Sequence, residues 1–185
     1  MPISPHIKRL HEALGHELVL IPSASALVLD DEGRLLLLRH AGDGNWWGTP
    51  GGAIDPYEQP ADAAVRETWE ECGLIVEPLR LFALLAGPEQ IITYPGGDRT
   101  SYFSTTFLCR VIGGTLQPDG EEILEARWFK DPLNEVSPIA PNARQLIEML
   151  ANDHGDNAAH FATPTWRPAE GASNLYVPTP QAPTA

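Results

Sequence analysis

The stretch from Gly51 to Gly73 constrains this chain more than any other. It opens on two glycines, passes through Asp55-Pro56-Tyr57-Glu58, and enters a segment, Pro60 to Cys72, with the start and stop signals of a helix. Proline is tolerated in a first helical turn, Asp62 suits the positive start of a helix, and Gly73 can take the left-handed conformation that ends one. At about 100° per residue, Glu67, Glu70 and Glu71 fall on one helix face. Val65, Thr68, Trp69 and Cys72 are expected to point the other way, toward a packing surface. Ala63 and Ala64 share the glutamate side and are small enough to let the helix approach the Gly51-Gly52 backbone. Glu58 sits just ahead of the helix, in a loop able to fold back beside its first turn.

Three carboxylates on one face repel one another. At about 5 Å and an effective dielectric of about 20, each like-charge pair costs roughly 3 kcal/mol. Arg66 offsets only part of this. An isolated E-x-x-E-E would read as a solvated acidic face, but the flanking glycines, Glu58 and the adjacent arginine favour a cation held by oxygen ligands, of the kind that suit Mg²⁺ or Mn²⁺.

The full pattern is Gly52, five residues, Glu58, seven residues, then Arg66-Glu67-Thr68-Trp69-Glu70-Glu71-Cys72-Gly73-Leu74. It resembles the Nudix box, with one departure: Thr68 stands where an aliphatic residue is usual. Thr68 keeps the β-branched shape, so a small packing cost and unchanged chemistry are expected. The resemblance extends to the preceding hairpin and to the Trp47-Gly-Thr-Pro-Gly-Gly52 approach, and with the later strands it covers roughly residues 18 to 150. It implies an α/β fold, an α/β/α sandwich around a mixed β-sheet. It also implies Mg²⁺-dependent hydrolysis of a pyrophosphate linkage in a nucleoside diphosphate joined to another moiety, with Mn²⁺ as a substitute ion. Carried over by position, Glu67, Glu70 and Glu71 are the expected metal ligands, helped by a backbone carbonyl at Gly51 or Gly52. Glu58 is an auxiliary ligand or lies behind the ligands, and Arg66 orients the glutamates through charge-assisted hydrogen bonds. Many relatives place one more acidic residue shortly before the last strand; here Asp119-Gly120-Glu121-Glu122 precedes Trp128-Phe129, and Glu122 is the candidate. Glu67 is the first choice for the general base and Glu122 the second.

The rest of the chain is consistent with that fold. Ile3, Ile7, Leu10 and Leu14 lie at helical spacing, with Gly15 to end the helix. Glu17 to Leu29 reads as extended, with a break or an edge at Pro22. The turn Asp30-Asp31-Glu32-Gly33 joins it to the apolar run Leu35 to Leu38, as in a β-hairpin. Ile75 to Ala86, Tyr102 to Val111 and Glu125 to Phe129 are further strand candidates, with Tyr94-Pro95-Gly96-Gly97-Asp98 as a turn, and Ala143 to Leu150 is a closing helix. The expected organisation is an N-terminal helical segment (1–16), one domain (17–151) and a Pro-rich tail (152–185). The tail carries Pro164, Pro168, Pro178, Pro180 and Pro183, and Trp166 and Tyr176 favour docking near its start.

The formal charge of −13, from 12 basic and 25 acidic residues, disfavours long nucleic acid as a partner. It does not exclude a small anionic nucleotide, because bound divalent ions reverse the local sign. Cys72 and Cys109 have neither metal nor disulfide spacing and read as buried thiols. No signal peptide and no membrane span are apparent, so a cytoplasmic protein is expected. The helical N-terminal segment and the tail leave room for a homodimer. Arg39, Trp47, Tyr94 and Arg99 are candidate substrate contacts, with His40 beside Arg39 as another phosphate-gripping candidate. The spacing markers of the ADP-ribose and dinucleoside-polyphosphate subfamilies fall near Gln90 and fit neither. A non-catalytic nucleotide sensor of the same fold is the alternative; it is disfavoured because Glu58, Glu67, Glu70 and Glu71 are all present. An RNA-decapping role is disfavoured by charge.

Overall fold

The chain runs α1 (Pro5–Leu14), β1 (Leu18–Leu29), β2 (Leu35–His40), β3 (Trp47–Gly48), β4 (Gly51–Ala53), α2 (Pro60–Cys72), β5 (Leu74–Leu85), β6 (Ile91–Thr93), β7 (Arg99–Gly114), β8 (Ile123–Phe129), α3 (Pro132–Glu135) and α4 (Pro141–Ala151). This computed structural model describes residues 5–42, 44–94, 96–155 and 157–162. Ile3, Pro95, Trp166, Tyr176 and the five tail prolines lie outside the described residues.

β1 and β7 form the spine of a mixed sheet. They pair in parallel without a slip from Leu18 opposite Arg99 to Leu29 opposite Arg110. β5 runs antiparallel on the far side of β7, and β6 pairs with the start of β7. β2 meets β1 only at the hairpin end, then carries β8 and β3 on its two sides. The flank of β1 that β2 vacates is filled by β4, with Ala24 opposite Gly52. Here the structure refines the expectation at Pro22. The strand does not break there, because the ladder to β7 holds and Pro22 sits just before the β4 pairing begins, where one flank has no strand to need its missing N–H.

Helices cover both faces. On one side Ala63 and Ala64 of α2 pack on Ala24, and Cys72 joins Ala26, Val28, Leu36 and Leu38 in a buried cluster. On the other side Ala143, Leu146 and Ile147 of α4 pack on Leu27, Leu35, Leu37 and Phe82, while Ile7 of α1 covers Val19 and Ile21. The alternation along β1 explains this: Ala26 and Val28 face α2, Leu27 faces α4. The result is the expected α/β/α layering. The small alanines of α2 pack on Ala24 of β1. Cys72 and Cys109 are buried free thiols, and burial pushes them up to about 11 and about 12.

Past α4, the start of the tail docks on β5. His160 bridges to Ala83 through backbone hydrogen bonds with Phe82 and Leu84, and its ring packs against Phe82 at 4.8 Å, tilted by 46°. Asp153 ties down both Arg80 and His160. Among the described residues, no helix is long and apolar enough to cross a membrane.

Candidate active site

Three glycine-dependent close approaches build the site. Gly51 has φ +154°, and a Cβ there would lie 2.5 Å from the Ala24 carbonyl oxygen. A Cβ on Gly52 would lie 2.5 Å from a carboxylate oxygen of Glu67. Gly73, at φ +74°, ends α2 and donates to the Trp69 carbonyl at 2.8 Å. β4 and the helix can therefore approach until Glu67 touches the strand and Glu71 reaches the Gly51 amide, which donates to it at 3.0 Å.

Arg66 organises the carboxylates. Its guanidinium donates to both oxygens of Glu58 at 2.7 and 2.8 Å, to Glu67 at 2.8 Å, to Glu70 at 3.0 Å and to the Ala53 carbonyl at 3.1 Å. Glu58 also receives the Asp55 amide. Glu58 thus acts on the site through Arg66, and that guanidinium holds its carboxyl below the ordinary range. Glu67 and Glu71 go the other way. Burial raises Glu67 despite Arg66, and burial together with the charges of Glu67, Glu122 and Asp119 raises Glu71 strongly. Glu71 is 2% exposed, and among the described residues no cationic side chain pairs with it.

The far wall comes from sequence-distant elements. The segment after β7 hangs from the end of α2: Gln117 donates to the Cys72 carbonyl and Asp119 to the Glu71 carbonyl. One oxygen of Asp119 then accepts the amides of Glu121, Glu122 and Ile123 at 2.8 to 3.0 Å. Glu122 is thereby delivered beside Glu71, and His40 arrives from the end of β2. One donor atom from each of His40, Glu71 and Glu122 lies within 4.8 Å of the others. Burial lowers His40 despite the nearby charges of Glu122 and Asp119, which favours the neutral ring.

Three carboxylates on the Arg66 guanidinium, with Glu71 and Glu122 beside them, form a donor set suited to a divalent cation.

The substrate candidates separate. Trp47 is 5% exposed and packs edge-on to Phe129 at 5.1 Å, so its ring belongs to the core and offers no face to a ligand; this corrects the expectation, and the exposed neighbour is Trp46. Trp69, also expected to pack inward, is 57% exposed, because the buried stripe of α2 runs through Ala63, Ala64, Glu67, Thr68, Glu71 and Cys72. The glutamates thus lie on the packed side of the helix. Arg39 is paired with Glu125 across the β2–β8 ladder. Arg99 opens β7 opposite Leu18 and Thr93. Tyr94 shares a 2.6 Å hydroxyl–hydroxyl hydrogen bond with Tyr102. Burial raises both phenols, and the charge of Glu122 reaches both. The structure brings His40, a phosphate-gripping candidate in the sequence, beside Glu71 and Glu122, and it gives Asp119 a loop-holding place that the sequence reading did not assign. His40 ends a strand just ahead of the glycine loop, and Asp119 is three residues before the predicted acid; those positions were the available signals.

Known proteins resemble this chain in family and fold. The NUDIX domain family model matches residues 19–151. A NAD-capped RNA hydrolase, NudC, of Vibrio atlanticus is 34% identical over 103 residues, 55% of this chain and 35% of that protein. A CMP-5'-(N-acetyl-N-hydroxy-3-aminopropyl)phosphonate hydrolase of Streptomyces rubellomurinus is 31% identical over 151 residues, 76% of this chain and 66% of that protein. The chain therefore spans about a third and just under two thirds of these two relatives. The crystal structure of a MutT NUDIX hydrolase from Burkholderia pseudomallei shares the fold, with a TM-score of 0.59 at 23% identity over 71% of this chain and 98% of that one.

Proposed function

This chain belongs to the Nudix family, and from that premise we propose that it is a hydrolase of pyrophosphate bonds, dependent on a divalent cation, acting on a nucleoside diphosphate joined to a second moiety. The observation that carries the reading is the buried Glu71 carboxyl, raised by burial and by the charges of Glu67 and Glu122, with the half-buried Glu122 within 4.8 Å of it. Such a cluster needs a cation, and a pyrophosphate brings its own negative charge to the same place. When bound, Mg²⁺ or Mn²⁺ supplies charge neutralisation at the phosphoryl oxygens. Glu70, Glu71 and Glu122 would hold it. Arg66 fixes the carboxylates of Glu67 and Glu70, so that no reorganisation is needed as charge moves. Glu67 takes the proton of the attacking water; its burial lifts its basicity toward the working pH, which suits a general base. Tyr94 and Tyr102, bonded to each other through their hydroxyls and within reach of the Glu122 charge, are the substrate contacts of this reading. The relatives' printed substrates, a capped RNA and a CMP-linked phosphonate, support a nucleotide-containing substrate and leave the second moiety to experiment.

Glu70→Gln and Glu71→Gln test the reading. Each is expected to remove most Mg²⁺-dependent turnover on a panel of nucleoside triphosphates, ADP-ribose and nucleotide sugars, with an unchanged circular dichroism spectrum. Wild-type rates in both variants would overturn it, as would a wild-type chain inert toward the whole panel.

A further inference from the structure

The tightest gathering of donor atoms in the site is not made by the glutamates of the α2 face alone. It joins three separate parts of the chain: His40 at the end of β2, Glu71 in the last turn of α2, and Glu122 in the loop before β8. Backbone ties hold the three together. The Ala41 amide donates to the Glu122 carbonyl at 2.7 Å, which fastens the loop to the residue after His40. The Asp119 amide donates to the Glu71 carbonyl at 3.3 Å, which fastens the same loop to the helix. The imidazole also lies close to Gly48, where a Cβ would come 3.0 Å from Nε2. The absence of a side chain at position 48 thus leaves the ring room beside β3. Arg66 meanwhile engages Glu58, Glu67 and Glu70 but not Glu71.

We infer that the cation site includes the His40 imidazole as a nitrogen ligand beside Glu71 and Glu122, and that it therefore takes a first-row transition-metal dication through a mixed nitrogen–oxygen donor set. This rests on the cation requirement proposed above and deepens it. Ligands at about 2.1 Å from one ion are at most about 4.2 Å apart. The spread of 4.8 Å closes to that by well under an ångström of side-chain movement. Imidazole adds affinity for transition metals and little for Mg²⁺, which is hard and prefers oxygen and water. His40 is thus a metal-selectivity residue, distinct from the carboxylates that any divalent ion would use.

Calorimetric titration of the metal-free full chain with Co²⁺ and with Mg²⁺ tests this. His40→Ala and His40→Gln are expected to weaken Co²⁺ binding by about tenfold or more and Mg²⁺ binding by less than about threefold. Equal losses for both ions, or none, would overturn it. A second measurement needs no variant: pulsed electron paramagnetic resonance of the wild-type chain with Mn²⁺ should show nitrogen modulation from a bound imidazole, and its absence would also overturn the inference. Hydrolysis is read in neither experiment. His40-dependent Co²⁺ binding in a chain that cleaves no pyrophosphate would sink the hydrolase reading alone. Mg²⁺-dependent cleavage with metal affinities indifferent to His40 would sink this inference alone.

Discussion

Arg66 has three carboxylate partners and a carbonyl within 3.1 Å, and together they engage all three guanidinium nitrogens. A lysine carries the same charge but no planar fork, so it cannot hold Glu58 through both oxygens while reaching Glu67 and Glu70. Arg66→Lys is expected to lower kcat by about 10- to 100-fold with the fold intact, measured by steady-state kinetics on the substrate the panel identifies. Gly52 makes the complementary case through absence. Because a Cβ there would lie 2.5 Å from Glu67, Gly52→Ala must displace either the carboxylate or β4. An activity loss of at least about tenfold is expected, by analogy with other losses of ligand positioning, with little change in secondary structure. These residues were legible in the sequence because their relation is local: helical periodicity places Glu67, Glu70, Glu71 and Arg66, and the loop length places Glu58. His40 was only weakly legible. Its part in the cluster depends on β2 ending beside a loop more than 70 positions away, at Glu122, and no local pattern encodes that.

At the scale of elements, the decisive joint is between the C-terminal end of α2 and the segment from Gly114 to Glu122. Gly73 lets the helix stop in the left-handed conformation, and a Cβ there would lie 2.6 Å from the Thr115 carbonyl. Asp119 gathers three amides on one oxygen, as a helix cap does. Burial tends to raise Asp119, but these amides outweigh it and the carboxyl is lowered. A lowered carboxyl contributes stability above its ordinary pKa and loses that contribution as pH falls through the lowered value. Asp119→Ala should therefore destabilise the chain by about 1 kcal/mol at pH 7 and shift Glu122, with less difference from wild type in acid below that lowered value. Urea unfolding under both conditions would show whether the gap closes. The long strands and α2 could be read from the sequence because alternation and capping mark them. β3, β4, β6 and α3, with two to four residues each, could not, because their pairing comes from neighbours rather than from their own pattern. Trp69 was misplaced for a related reason: α2 packs along a stripe that includes glutamates, so apolarity did not mark the buried side.

For the molecule as a whole, the site and the fold make opposite demands. Glu67 and Glu71 are buried and raised, and both belong to the α2 face that joins helix to sheet. A raised carboxyl favours the folded state while it is protonated; the benefit is complete below its unfolded pKa and disappears as pH rises through the folded value. The metal-free chain should therefore become less stable as pH climbs from about 4.5 through those raised values, the reverse of the trend expected for Asp119 at lower pH. Divalent cation should restore what is lost. At about one hundred times its dissociation constant it adds about 2.7 kcal/mol, roughly 5 to 10 °C in Tm for a chain of this length. Glu71→Gln removes the buried charge. It should raise the metal-free Tm at pH 7 by about 2 °C or more, flatten the pH dependence between about pH 5 and 8, and abolish most of the stabilisation by Mg²⁺, while also abolishing turnover. Differential scanning calorimetry of both proteins, with chelator and with Mg²⁺ at pH 5.5 and 7.5, makes the comparison. A Glu71→Gln chain less stable than wild type in chelator at pH 7.5 would mean that the buried carboxylate supports the fold, and the strain assigned to this cluster would have to be abandoned.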